Sequence, residues 1–580
     1  MRLVEIRLLE GPNVYRLAPV VKIEVAIGRR RTWYGQREPG RHAVVRLGAR
    51  VPRRDWPGTV ERIVQWVRRL RVDGGEGRGG EAVHRSSDPG HWIVTFPWTG
   101  AERAHSIAEA AVALTERDVA PERRARHTPS PERAIARWQA QIAEARATPP
   151  AWIRDEDRRL PVVSITGTNG KSTVTRLTTH MLVRAKRRVG TTTSDGVLVN
   201  ERMVEPGDWT GPGGAWQILS RSDLDVAVLE TARGGLVLRG MGYESNEVGV
   251  VTNVTSDHLD LQGIHTLPEL AEVKSTVVRV TKPDGWCVLN ADDPHVAALA
   301  RRVHGHVALF TLLPGGSARV RRHAAAGMTG RGYAVDGGWI VELEGGRSRR
   351  IVELRRVPIA IGGLARHNVA NALAASAAAR GLGLTLEEVA EGLADFRPTS
   401  DRSPGRLNLY RLGSRIVIVD FAHNEAGVSA VLDVALGIAG GGAGRAAPVT
   451  MIVGTAGDRP DDTLRGIARI AATRAQRVAI KETLKYLRGR SRESVVGEML
   501  AGVKAAGGSP ADVPVYESET AALRAELANG GGRPKVVVLL CHEEREGVFE
   551  LLEKLGAAPI DVTSELTTLV PRLQERPRRA

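Results

Sequence analysis

Two hydrophobic periodicities divide this chain. Over the first 150 residues the apolar positions alternate in short runs, as in VVKIEVAI (20–27) and HWIVTF (91–96), which predicts strands with one buried face. Helical spacing over 58–70 and 101–116 predicts two helices beside them, a small α+β module. Residues 126–152 open with Pro-rich turns, continue as a polar helix and end at Pro149-Pro150, the pattern of a linker with a helix in it. From Pro161 onward, β-branched runs alternate with Ala- and Leu-rich helical segments, which predicts a parallel α/β sheet. The turn FRPTSDRSPGR (396–406) interrupts the series, and a second α/β series follows to about residue 575. GIAGGGAGRAAP (437–448) reads as a surface loop. The expected class is α/β, with domains at 1–150, 151–397 and 398–580.

The polar positions that break these runs carry the chemistry. In PVVSITGTNGKSTVTRL (161–177) an apolar strand ends at Ile165, and a turn with Gly167 and Gly170 leads into a helix opened by Lys171 and Ser172. Glycines let backbone N–H groups approach an anion, and the helix N-terminus adds partial positive charge. In such a loop Lys171 can reach β- and γ-phosphates and the Ser172 hydroxyl can bind Mg²⁺. Ile165 stands where the general phosphate-loop pattern has its first glycine, so this is a shortened variant. Later strands also end in polar residues: Glu230 in DVAVLETARGG; Asn253, Asp257, His258 and Asp260 in EVGVVTNVTSDHLDLQG; Asn290, Asp292 and Asp293 in GWCVLNADDP. Ligands of open α/β sheets bind beyond the carboxyl ends of strands.

Composition narrows the partners. Lys plus Arg is 82 against 66 Asp plus Glu, a formal charge of +16, which favours a negatively charged ligand. Arg29, Arg30, Arg31, Arg53 and Arg54, with seven of the eleven tryptophans by residue 152, make a basic aromatic module suited to an acidic polymer. A nucleic-acid partner rests on charge alone and is set aside. Two cysteines, Cys287 and Cys541, exclude a disulfide framework or a cysteine zinc site. No apolar run approaches a membrane span, and the first residues lack the apolar core of a signal peptide. A cytoplasmic protein is expected, with no membrane partner and with a homo-oligomer left open.

TGTNGKST, LETARGG, NVTSDHLDLQG, LNADDP, GGLARHNVANALAA (362–375), PGR (404–406) and DFAHN (420–424) resemble the successive motifs of the Mur ligase family over residues 160–580. TTTSDGVLV, GDWTGPGGA, KETLKYLRGR and the early RLLEGPNVYRL are most similar to the cyanophycin synthetase branch. That branch has an ATP-grasp domain between its N-terminal and Mur-like parts; here the linker passes directly to TGTNGKST, so only the Mur-type half reaction is implied.

The resemblance implies a central P-loop ATPase domain and a Rossmann-like C-terminal domain. It implies an ATP-dependent amide ligase that makes an acyl phosphate and passes it to an amino-acid amine, using Mg²⁺ and a carbamylated lysine. The nucleotide residues would be Gly167, Thr168, Asn169, Gly170, Lys171, Ser172, Thr173, Asn290, His367, Asn368, Asn371, Arg406 and Asp420. Ser172, Glu230, His258 and Lys274 would hold metal, and Lys171, Glu230, His258, Lys274 and Arg406 would be catalytic. Thr192, Thr193 and Asp195 would meet the carboxylate-bearing peptide or polymer, along with His423 and Asn424 near the incoming amine. Asp458, Arg488, His542 and Glu543 would line an amine-donor pocket. Its carboxylates favour a basic amino acid. A small acceptor of folate, cell-wall-precursor or γ-glutamyl type, and a non-catalytic nucleotide-binding scaffold, are the alternatives.

Overall fold

A computed structural model describes residues 1–28, 47–119, 130–256, 259–326, 330–440 and 446–570. These form three sheets, each covered by helices. The first joins strands Arg2–Leu9, Val20–Ala26, His91–Pro97 and Ala82–Arg85 in antiparallel order. Helices Gly58–Asp73 and Ala101–Val119 bury Val60, Ile63, Val67, Ile107 and Ala111 against it. Trp98 is buried in this core, and Trp56, Trp66, Trp92 and Trp138 pack on its edge. The tryptophans thus have packing roles, while Arg29, Arg30, Arg31 and Trp33 lie outside the described residues.

The central sheet has eleven strands, parallel in its middle and antiparallel at both edges. Strand Val162–Thr166 lies between Asn246–Val251 and Val226–Glu230. All three are β-branched and almost wholly buried, as a sheet covered on both faces requires. Helix Arg366–Gly381 buries a run of alanines beside helix Lys171–Arg184. The last sheet sets Arg415–Asp420, Lys535–Leu540, Val449–Val453 and Arg477–Lys481 in parallel. The turn after Thr166 and the 421–424 loop therefore both leave carboxyl ends of strands. Among the described residues, no helix is long and apolar enough to cross a membrane.

The turn of RLLEGPNVYRL joins the first sheet to the central one. Glu10 N–H donates to Arg239 O, and Met241 N–H donates to Pro12 O, both at 2.8 Å. A Cβ on Gly11 would sit 1.7 Å from the Met241 carbonyl oxygen, so that position demands glycine. A second clasp is ionic: His265 Nε2 lies 2.9 Å from Asp88 of the first module, and its Nδ1 lies 2.7 Å from Asp260. The hydrogen bond to Asp88, with Asp260 beside it, raises His265 from 6.5 to about 9. A raised folded-state pKa gives stability that is complete below about 6.5 and fades as pH climbs through about 9. The clasp should accordingly loosen across that window. Thermal denaturation followed against pH should show a steeper alkaline loss for the parent than for Asp88→Asn; equal slopes would contradict it.

Candidate active site

A cleft of about 320 Å³ separates the carboxyl edge of the central sheet from the C-terminal lobe. Thr168, Asn169, Gly170, Lys171, Ser172, Thr173, Asn290, His367, Asn368 and Asn371 line its central wall. Arg406, Asp420 and His423 line the opposite wall. Sequence-distant residues thus converge on one space.

The 167–173 loop is held from beneath. Thr252 Oγ1 donates to Asn169 O at 2.6 Å. Asn253 exchanges two bonds with the Asn169 backbone, accepting from its N–H at 2.9 Å and donating to its carbonyl at 3.0 Å. Lys171 Nζ donates to the Gly167 and Thr168 carbonyls at 3.2 and 3.0 Å, which keeps its charge at the loop. Gly170 caps helix Lys171–Arg184 at φ 87°, and a Cβ there would sit 2.2 Å from Asn371 Oδ1. Gly170→Ala should therefore cost about 1–2 kcal/mol of stability from the left-handed backbone alone. Unchanged melting of the variant would contradict the constraint.

Asn371 Nδ2 donates to Asn368 Oδ1 at 3.0 Å, and Asn368 Nδ2 donates to Ile359 O at 3.1 Å, so the pair one helical turn apart is locked. Asn290 Nδ2 donates to Thr252 O at 2.9 Å and ties two strand ends together. Burial brings His367 down to about 4, which leaves the ring neutral near pH 7.

Glu230 ends its strand 3% exposed, beside Ser172. Burial pushes its carboxyl above the usual range, against the opposing pull of Lys171. A buried carboxylate next to a hydroxyl is an oxygen donor set, the type a hard divalent cation prefers. Lys274 is 3% exposed and donates from Nζ to Gly167 O at 2.7 Å. It stands directly behind the loop. His258 and Asp257 lie outside the described residues.

From the C-terminal lobe, Arg406 Nη2 comes within 3.4 Å of Ser172 Oγ, with its guanidinium 4.5 Å from the Phe421 ring centroid. Burial holds Asp420 above the usual carboxylate range; Arg406 opposes this, and the carboxylate accepts from the N–H groups of Leu407 and Ala422 at 2.8 Å. Asn424 caps helix Glu425–Ala439 and exchanges amide hydrogen bonds with Asn169 at 2.9 and 3.3 Å. It bridges the lobes. His423 Nδ1 donates to Phe421 O at 3.0 Å.

The remaining substrate candidates lie off the cleft. Thr192 is buried in its strand, and Thr193 Oγ1 accepts from the Asp195 and Gly196 N–H groups. Asp195 is buried between Arg176 and Arg545. Asp458 pairs with exposed Arg488 at 2.7 Å. Glu543 accepts from Lys485 N–H at 2.7 Å. His542 is buried: Lys481 Nζ donates to its Nδ1 at 3.0 Å, and its Nε2 donates to Ala422 O at 3.1 Å. Lys481 itself, in the KETLKYLRGR segment, is fully buried against Glu519 at 2.6 Å. The sheet interior leaves it nowhere else to go. Arg545 falls in none of the motifs quoted above, and Arg176, although inside the 161–177 segment, shows no sign there of its partner Asp195.

A model of the Mur ligase middle domain matches residues 165–379. The UDP-N-acetylmuramoyl-L-alanyl-D-glutamate–2,6-diaminopimelate ligase of Alkalilimnicola ehrlichii is 30% identical over 403 residues, covering 68% of this chain and 74% of that protein. The chain belongs to the Mur ligase family. Within that family it is also similar to the cyanophycin synthetase of Crocosphaera subtropica, 41% identical over 345 residues. That match covers 60% of this chain and 38% of the relative, so the chain spans well under half of that relative's length. Among solved family structures, a pseudomurein peptide ligase type C from Methanothermus fervidus is 20% identical, with a TM-score of 0.46 over 73% of this chain and 85% of that one. The matched range 165–379 contains the residues of the central wall of the cleft, from Thr168 to Asn371.

Proposed function

We propose that this protein is an ATP-dependent ligase that joins a carboxylate to the amine of an amino acid. The supporting observation is the placement of Lys171 and Ser172 on one wall of the cleft and Arg406 on the other. A carboxylate oxygen attacks the γ-phosphorus and ADP leaves, which gives an acyl phosphate. The amine nitrogen then attacks the acyl carbon, phosphate leaves, and the nitrogen gives up a proton. Two anions must meet for the first step, so cations must screen them. Lys171 and Arg406 supply fixed positive charge from opposite sides.

Ser172, Glu230 and His258 would hold Mg²⁺, which would neutralise phosphate charge. Lys274 would complete the set as a carbamate. Asn290, His367, Asn368 and Asn371 would shape the nucleotide end, and Asp420 and His423 the far wall. The acceptor we favour is a carboxylate on a peptide or polymer, as the likeness to cyanophycin synthetases suggests, with the first module holding the chain. A basic amino acid as donor rests on Asp458, Glu482 and Glu543, of which Asp458 and Glu482 already carry arginine partners.

The test is phosphate release from ATP and Mg²⁺ across a panel of peptides and amino acids, with products weighed by mass spectrometry. Release should require both a carboxylate and an amine and should yield their condensed mass. Release indifferent to the added carboxylate would contradict the ligase reading.

A further inference from the structure

Asp195 sits at the centre of an ion cluster that the reaction scheme above does not use. Its side chain is 7% exposed. Arg176 of its own lobe donates to Oδ2 at 2.8 Å, and Arg545 of the C-terminal lobe donates to Oδ1 at 2.5 Å. Burial opposes ionisation of Asp195, but Arg406, Arg545 and Arg176 together bring it down to about 2. Two of those three cations belong to the C-terminal lobe.

Arg545 is rigidly presented. It opens helix Arg545–Lys554, its Nη1 also approaches Pro404 O at 3.4 Å, and its guanidinium lies 5.5 Å from the Phe421 ring centroid. Arg406 stacks on the same ring at 4.5 Å. Gly405, at φ 68°, leaves room for this: a Cβ there would press on Arg545 Cδ at 3.2 Å.

The neighbour of Asp195 in sequence touches the cation site. Ser194 N–H donates to Glu230 Oε2 at 3.4 Å, and Ser194 Oγ lies 3.4 Å from Ser172 Oγ. Both contacts are long, so a small movement of the 193–195 loop makes or breaks them. A cation anchored on Asp195 therefore sets where Ser194 stands relative to Ser172 and Glu230.

We propose that Arg545 is a positioning residue: on lobe closure it grips Asp195 and thereby seats the 193–195 loop against Ser172 and Glu230, so that the cation-binding oxygens are fully arranged only in the closed enzyme. The inference rests on the ligase reading for its catalytic consequence, but not for its structural one. Arg176 holds Asp195 from within the central lobe, and Arg545 ties the same carboxylate to the C-terminal lobe.

The experiment uses the 580-residue chain with ATP and MgCl₂ as probes. Arg545→Ala should lower kcat about ten- to a hundred-fold, with acceptor and amine KM nearly unchanged, as expected for misplaced groups. It should also raise the MgCl₂ concentration needed for half-maximal ATP binding, measured by calorimetry, and enlarge the radius of gyration of the ATP-bound protein in X-ray scattering. Arg545→Lys, which keeps the charge, should recover part of each effect. Because Arg545 acts through Asp195, Arg545→Ala placed on Asp195→Asn should add less than about two-fold. Additive losses, a raised acceptor KM with intact kcat, or an unmoved Mg²⁺ requirement would each overturn the proposal. If the parent protein binds ATP with Mg²⁺ but ligates nothing, the ligase reading fails, while the calorimetric and scattering arms still decide the role of Arg545.

Discussion

Lys171→Ala is expected to slow ATP-dependent ligation by about 10²–10³-fold or more, the usual cost of removing one preorganised charge from a phosphoryl site. Lys171 Nζ is held by the Gly167 and Thr168 carbonyls at the mouth of the loop. The helix end contributes only partial charge, so no other group of the loop replaces it. Lys171→Arg keeps the charge but needs more room and a planar geometry, and should recover little. Stopped-time phosphate assays on both variants, with melting curves to confirm folding, measure this. An alanine variant within about three-fold of the parent, less than 1 kcal/mol in barrier, would remove the loop from the reaction.

The second large effect is expected at Lys274. Its Nζ is buried 2.7 Å from the Gly167 carbonyl, directly behind the phosphate loop. A buried ammonium beside a divalent-cation site is electrostatically unfavourable; addition of CO₂ to the amine turns the same side chain into an anionic oxygen donor. Lys274→Ala should lose about 10²-fold in rate. Formate or acetate should restore part of it, because a free carboxylate fits the space vacated by the side chain. Parent protein in ¹³C-bicarbonate should show a carbamate resonance that the variant lacks. Full activity of the variant, or the absence of that resonance in active parent protein, would dismiss the modification and leave Lys274 as a structural support of Gly167.

How far these sites are legible in the sequence follows the distance over which each is built. The phosphate loop is local: Gly167 to Thr173 follow a buried strand and open a helix, so the order of residues alone specifies the shape. Glu230 and Asn290 are also readable, because each ends an apolar run whose neighbours in the sheet are fixed by the parallel pattern. The cross-lobe partners are not. Asn424 looks like a residue facing the amine; in the fold its amide is engaged by Asn169 from 255 residues away while it caps its own helix. Arg545 follows an acidic run, and nothing in that run announces a partner 350 residues earlier. The burial of Lys481 against Glu519 is not legible, because the sequence does not show that two strand ends and a helix start enclose the pair. The tryptophans and arginines of the first module suggest a binding face by composition, yet the described tryptophans pack on the module's own core. Local chemistry is written in consecutive residues; lobe closure and buried ion pairs emerge only from topology.

Carboxylate activation by phosphoryl transfer can be read from a single atom. With an acceptor labelled with ¹⁸O in its carboxylate, turnover in unlabelled water should deliver one ¹⁸O into the released phosphate while the amide keeps the other. Phosphate that carries no label while amide accumulates would contradict an acyl phosphate, and with it the account of this cleft.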